Sequence, residues 1–280
     1  MKSDKLFHLY ENRTELPTLG SVFYESTGNN TGTLPLVLIH GFPFDRRLWY
    51  NLIPELDQTP VIIPDLPGVG NSTLLQPACT MNDYADVIAA ILEKEQIKKC
   101  VVAGHSMGGY AALAFANKYP DKLAGLSLVH STAYADDADR KQKRDQTIAF
   151  LNEYGASPFV NAFIPGPFAP GYSNEDELKK LKNWAADCTT QGLITMVNAM
   201  KNREDLTQLL ASTNVPVQWI IGKLDPVFLY TGSIQQATLS KISMIDLLPD
   251  CGHMGMIEKP EETAEALRRF LDYCVRRLKL

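Results

Sequence analysis

Short, nearly continuous apolar runs alternate with amphipathic stretches along most of the chain. LPLVLI (34–39), VIIP (61–64), CVVA (100–103), AGLSLV (124–129) and VPVQWII (215–221) each have the length of a strand. With so few polar positions, such strands must be covered on both faces, as in a parallel sheet. Between them lie helical periods: a segment from about 45 to 56, one from about 81 to 95 with Tyr84, Val87, Ile88 and Ile91 at helical spacing, and one after residue 106 rich in alanine. Strand, helix, strand repeated in this way implies right-handed crossovers and a doubly wound α/β sheet. Upstream, LFHLY (6–10) and SVFYES (21–26) alternate loosely around a Pro17 to Gly20 turn, which predicts an antiparallel hairpin. The Gly28 to Gly32 run then breaks the chain.

The rhythm stops from about 133 to 213, where a charged segment, a proline-rich segment and several helical periods follow one another with nothing strand-like. It resumes with a strand near 215–222, a helical stretch to about 239, a strand in KISMIDLL and a last helix. That helix opens with Pro260, Glu261 and Glu262 and closes with Arg276, Arg277 and Lys279, which suits its dipole. The expected architecture is therefore a mostly parallel, doubly wound α/β sheet of about eight strands. Residues 1–132 and 214–280 form its two parts, and 133–213 form a helical cap lying over the carboxyl edge, where such folds place ligands.

Composition narrows the function classes. The 280 residues are 45% apolar and 21% charged, ordinary for a globular protein. A net charge of -5 offers no field for a phosphate backbone, so nucleic acid is not expected as a partner. No apolar run has the length of a membrane span, and the first residues lack a secretory core, so a cytoplasmic location is expected. Cys79, Cys100, Cys188, Cys251 and Cys274 are odd in number, scattered and without C-x-x-C spacing, which predicts reduced thiols rather than disulfides or a zinc site.

The chemistry concentrates at Gly104-His105-Ser106-Met107-Gly108, between a strand and a helix. A serine in this pattern sits on a strained turn at the sheet's carboxyl edge, with its hydroxyl exposed. Serine attacks only when a base takes its proton, and the base must be oriented in turn. Of five histidines, His253 lies in a loop after the last strand, flanked by Gly252 and Gly255, which should give that loop freedom; His8, His40, His105 and His130 sit elsewhere. Asp225 ends the penultimate strand before Pro226, and the order Ser106, Asp225, His253 favours it over Asp65, Asp136 and Asp137. The backbone N–H groups of Met107 and Phe42 are the expected oxyanion donors, with Gly41 giving the second loop latitude. Cys251 is a rival nucleophile two residues from His253, and Trp184, Phe159, Phe163 and Phe168 divide between acyl pocket and plain core.

HGFPFD, PDLPGVGNS, GHSMGGYAALAFANKYP, GKLDPV and CGHMGMIEKP, in this order, resemble the α/β-hydrolase superfamily, in particular small serine esterases with a helical cap. The resemblance implies Ser106 as nucleophile, His253 as base and acid, Asp225 as its orienting group, and acyl transfer from a small or medium ester to water, with no metal and no organic cofactor. Branches with aspartate as nucleophile, or with an HGGG loop, do not fit. Lactonases, thioesterases, C–C bond hydrolases, perhydrolases and, from another class, non-hydrolytic ligand receptors share the motifs.

Overall fold

The computed structural model describes residues 8–28, 34–56, 59–75 and 78–279. The chain opens with the hairpin β1 (Tyr10–Leu16) and β2 (Gly20–Ser26), followed by β3 (Leu36–Ile39) and β4 (Val61–Pro64). Next come α1 (Met81–Lys94), β5 (Cys100–His105), α2 (Met107–Lys118) and β6 (Leu123–Val129). Five helices then follow without a strand: α3 (Ala138–Tyr154), α4 (Ala156–Phe163), α5 (Glu175–Ala186), α6 (Thr190–Lys201) and α7 (Thr207–Ser212). The chain returns with β7 (Val217–Gly222), α8 (Tyr230–Ala237), β8 (Ser243–Leu248), the short α9 (Gly255–Glu258) and α10 (Pro260–Leu278).

The eight strands form one sheet in the order β1-β2-β4-β3-β5-β6-β7-β8, antiparallel at β1-β2-β4 and parallel thereafter. Strands β3 to β7 are buried along their whole length, as their unbroken apolar runs require. Local signals place the helices. Thr80 and Asp83 form a reciprocal capping box that starts α1, and α10 buries Leu267, Phe270, Leu271 and Cys274 on one side.

Two expectations need correction. The first hairpin strand is not 6–10 but β1, paired Tyr10 to Ser26 and Leu16 to Gly20. It is an edge strand with mostly exposed polar residues, so it carries no apolar alternation. Residues 6 and 7, and 29–32 of the glycine-bounded break, lie outside the described residues. The segment 45–56 is not one helix but two 3-10 turns, Arg46–Trp49 and Ile53–Leu56. Pro54 lacks the N–H that a continuous α-helix would need to bond back to the preceding turn, so the segment breaks in two.

Parallel register levels the strand ends. His105 lies beside Val129, Val129 beside Ile220, and Gly222 beside Leu248. The segments after β5, β6, β7 and β8 therefore leave the sheet at one edge. No helix among the described residues is long and apolar enough to cross a membrane.

Candidate active site

Ser106 joins β5 to α2 with φ 51° and ψ -114°, a conformation that non-glycine residues adopt only under constraint. The constraint is visible. Its N–H donates to the Val129 carbonyl at 3.0 Å, and its carbonyl accepts from the Ser131 hydroxyl at 2.7 Å and the Gly109 N–H at 2.9 Å. A Cβ on Gly104 would sit 2.1 Å from the Gly108 carbonyl oxygen, and one on Gly108 would sit 2.3 Å from that of Ile39, so helix and sheet meet this closely only without side chains.

Asp225 follows β7 and His253 follows β8. His253 Nδ1 and Asp225 Oδ2 are 2.8 Å apart, with both residues buried. The other carboxylate oxygen, Oδ1, accepts from the N–H groups of Val227 at 2.7 Å and Phe228 at 3.0 Å. Burial alone would raise this carboxyl, but the facing His253 and the hydrogen bonds outweigh it and hold Asp225 well below the usual carboxylate range. With Nδ1 turned to Asp225, the opposite ring edge of His253 is free to serve the cavity. Ser106, His253 and Phe42 line one cavity of about 960 Å³, open mouth included. Met107 is the first residue of α2 and is buried.

A sequence model of the Alpha/beta hydrolase family matches residues 36–266, most of the chain. The chain belongs to the alpha/beta hydrolase family. Esterases and lipases are among its relatives and support ester hydrolysis. A thermophilic esterase from Thermogutta terrifontis, solved with malate bound, superposes with a TM-score of 0.86 at 30% identity, covering 95% of this chain and 99% of that one. Lipase 3 of Moraxella sp. (strain TA144) is 27% identical over 89% of this chain and 80% of the lipase. The dihydrolipoyllysine-residue acetyltransferase component of the acetoin cleaving system of Pseudomonas putida is 29% identical over 87% of this chain, which spans 65% of that longer protein.

In this chain the rival residues are committed elsewhere. Asp65 accepts from the N–H groups of Arg46 and Asn71 and pairs with the Arg46 guanidinium at 2.7 Å. Asp136 pairs with Arg144 and Arg203, and Asp137 caps α3. The five cysteines are free and buried. Burial pushes the Cys251 thiol well up, away from the thiolate a nucleophile would need. Of the four aromatics divided between pocket and core, Phe163 lines the cavity, Phe159 stacks behind it at 5.4 Å, Phe168 stacks on Tyr172, and Trp184 packs on Tyr50.

Several positioning contacts carry no local sequence signal. His105 Nε2–H donates to the His253 carbonyl at 2.9 Å, so the histidine beside Ser106 fixes the backbone of the distant one. Gly41 and Gly252 give no special backbone freedom. They have ordinary φ, and a Cβ would sit 2.4 Å from His105 Nδ1 at the first and 2.3 Å from the Ala169 nitrogen at the second. Gly255 likewise leaves room for His130. Glu258 binds three backbone amides, those of Ala169 and Gly252 through Oε2 and Met254 through Oε1, each at 3.0 Å. Together with the His253 N–H donating to Pro167, it ties the His253 loop to the segment after α4. Glu258→Ala should cost about 2–4 kcal/mol by orphaning these amides and should lower kcat as His253 loosens. Urea unfolding with parallel ester kinetics checks both effects.

His130, which chain order passed over, lies with Nδ1 3.7 Å from Asp225 Oδ2. That nitrogen accepts the Gly222 N–H at 3.2 Å, so it carries no proton and the contact is not an ion pair. Burial depresses His40, to about 4, and also lowers His105 and His130. The unfolded chain, with histidines near 6.5, therefore binds protons that the folded one refuses. The sign follows: this stability is fully present above about pH 6.5 and is lost as pH falls towards the native values. Between pH 7.5 and 5.5 His40 alone should cost about 1 kcal/mol, with His105 and His130 adding in the same direction, read as a lower urea midpoint.

Proposed function

We propose that this protein is a serine hydrolase that cleaves small or medium carboxylic esters through an acyl-enzyme on Ser106. The observation that carries the reading is the Nδ1–Oδ2 contact of His253 and Asp225 behind a cavity that Ser106 and His253 share. His253 Nε2 accepts the Ser106 proton as Oγ bonds to the carbonyl carbon. Negative charge gathers on the carbonyl oxygen, where the N–H groups of Phe42 and Met107 receive it, each donor worth about 2.7–4 kcal/mol of barrier. The imidazolium, balanced by Asp225, hands its proton to the leaving alkoxide as the C–O bond breaks. Water then repeats the sequence, with His253 as base, and releases the acid and free Ser106. No step calls for a metal or organic cofactor.

In this reading helices α3 to α7, within 133–213, act as the cap between the two core parts 1–132 and 214–280. Phe163, Pro167 and Met200 from that insertion line the cavity beside Ser106 and support the assignment. Unpaired, buried cysteines suit a cytoplasmic location. The test is labelling by a fluorophosphonate probe together with turnover of p-nitrophenyl butyrate. Labelling of Ser106 with turnover is expected. Binding of small ligands with neither labelling nor turnover would favour the receptor reading.

A further inference from the structure

The charged side chains that line the Ser106 cavity, His253 aside, are two arginines, and no carboxylate among the described residues lines it. Arg140 and Arg144 stand one turn apart on α3, on the face turned to the cavity. The two differ in their acidic partners. Asp136 is the carboxylate in contact with Arg144, at 3.0 Å, and it also pairs with Arg203 at 2.7 Å. Asp137 accepts the Arg140 backbone N–H as the cap of α3, and Asp205 accepts from the hydroxyl and N–H of Thr207; with Asp136 they line a neighbouring cavity whose wall also includes Arg140, Arg203 and Phe228. Arg203 has one buried guanidinium nitrogen without a partner and lies 4.0 Å over the ring of Tyr110, itself a cavity residue.

Arg140 is the cavity arginine without an ion pair among the described residues. Its guanidinium lies 5.1 Å over the Phe228 ring, and that ring is 5.5 Å from the His253 ring. A cation therefore stands two ring contacts from the imidazole, in a wall that also includes Phe42, Phe163, Met200 and Phe228. A wholly apolar substrate would strip water from this guanidinium and return nothing. A remote carboxylate would meet a planar fork of donors, the arrangement in which such pairs bind in bidentate fashion. Arg144 is paired with Asp136, whereas the Arg140 guanidinium makes no ion pair among the described residues, which leaves it available to one carboxylate.

Building on the hydrolase reading of Ser106, we propose that the substrate is an ester bearing a carboxylate remote from its scissile bond, gripped by Arg140 with Arg144 beside it. Pairs of esters matched in length test this. Monomethyl adipate is compared with methyl hexanoate for a carboxylate on the acyl side, and 6-acetoxyhexanoate with hexyl acetate for one on the alcohol side. At low ionic strength one of the two anionic esters should exceed its neutral partner about tenfold or more in kcat/KM, and salt should shrink the margin. Arg140→Gln should lower that ratio about tenfold, and Arg140→Lys should restore part of it. A ratio near one in both pairs, or a ratio that Arg140→Gln leaves untouched, overturns the proposal. The two readings fail differently. Hydrolysis of neutral esters with labelled Ser106 but no anionic preference removes only the carboxylate grip, whereas no hydrolysis and no labelling removes both.

Discussion

Ser106→Ala is expected to lower kcat for p-nitrophenyl butyrate by about 10^4- to 10^6-fold and to abolish fluorophosphonate labelling, while leaving the fold in place. The two halves of this expectation have separate causes. Chemically, the hydroxyl is the atom that bonds to the carbonyl carbon, and no neighbouring thiol can replace it, since Cys251 is buried with its thiol pushed well up. Structurally, the Ser106 side chain makes no capping bond at the start of α2. The bonds that hold the turn are made by its backbone N–H and carbonyl, which alanine keeps. Urea unfolding of the variant should thus match the parent within about 1 kcal/mol, the range for substitutions that break no such feature. A variant that retained a tenth of the activity, or was still labelled, would place the nucleophile elsewhere.

How much of this could be read from the chain depends on whether the signal is local. The strand-turn-helix around Ser106 was legible because continuous apolar residues, a glycine-flanked serine and a run of alanines lie within one short stretch. The parallel sheet was legible because strands buried on both faces must be apolar throughout. β1 was not, since an edge strand faces water and tolerates a sequence as polar as YENRTEL. Helix α3 shows only Leu151 buried, so its periodicity says little, and nothing in it announces that Arg140 and Arg144 turn towards the cavity. Gly41, Gly252 and Gly255 read as flexible, but their lack of side chains is demanded by His105, Ala169 and His130, partners far away in sequence. The same holds for Glu258, whose role is set by three amides that only the fold collects. Chain order suggested Asp225 and His253, and their contact needed coordinates.

Asp225→Asn is expected to lower kcat about 10^4-fold with little change in KM or stability. The reason lies in the bonds of the carboxylate. Oδ1 accepts two backbone N–H groups, from Val227 and Phe228, and Oδ2 faces His253 Nδ1. An asparagine must keep its carbonyl oxygen towards the two amides, because its NH2 group cannot accept from them. The NH2 group is thereby aimed at His253 and needs Nδ1 as an acceptor. This forces the imidazole proton onto Nε2, the nitrogen that should take the Ser106 proton, so the base is blocked although every heavy atom remains in place. The variant also loses the negative charge that balances the imidazolium. Nitrogen-15 chemical shifts of the His253 ring would report the exchanged tautomer directly, alongside the kinetics. Activity within tenfold of the parent, with Nδ1 still protonated, would mean that Asp225 serves only to close its own turn.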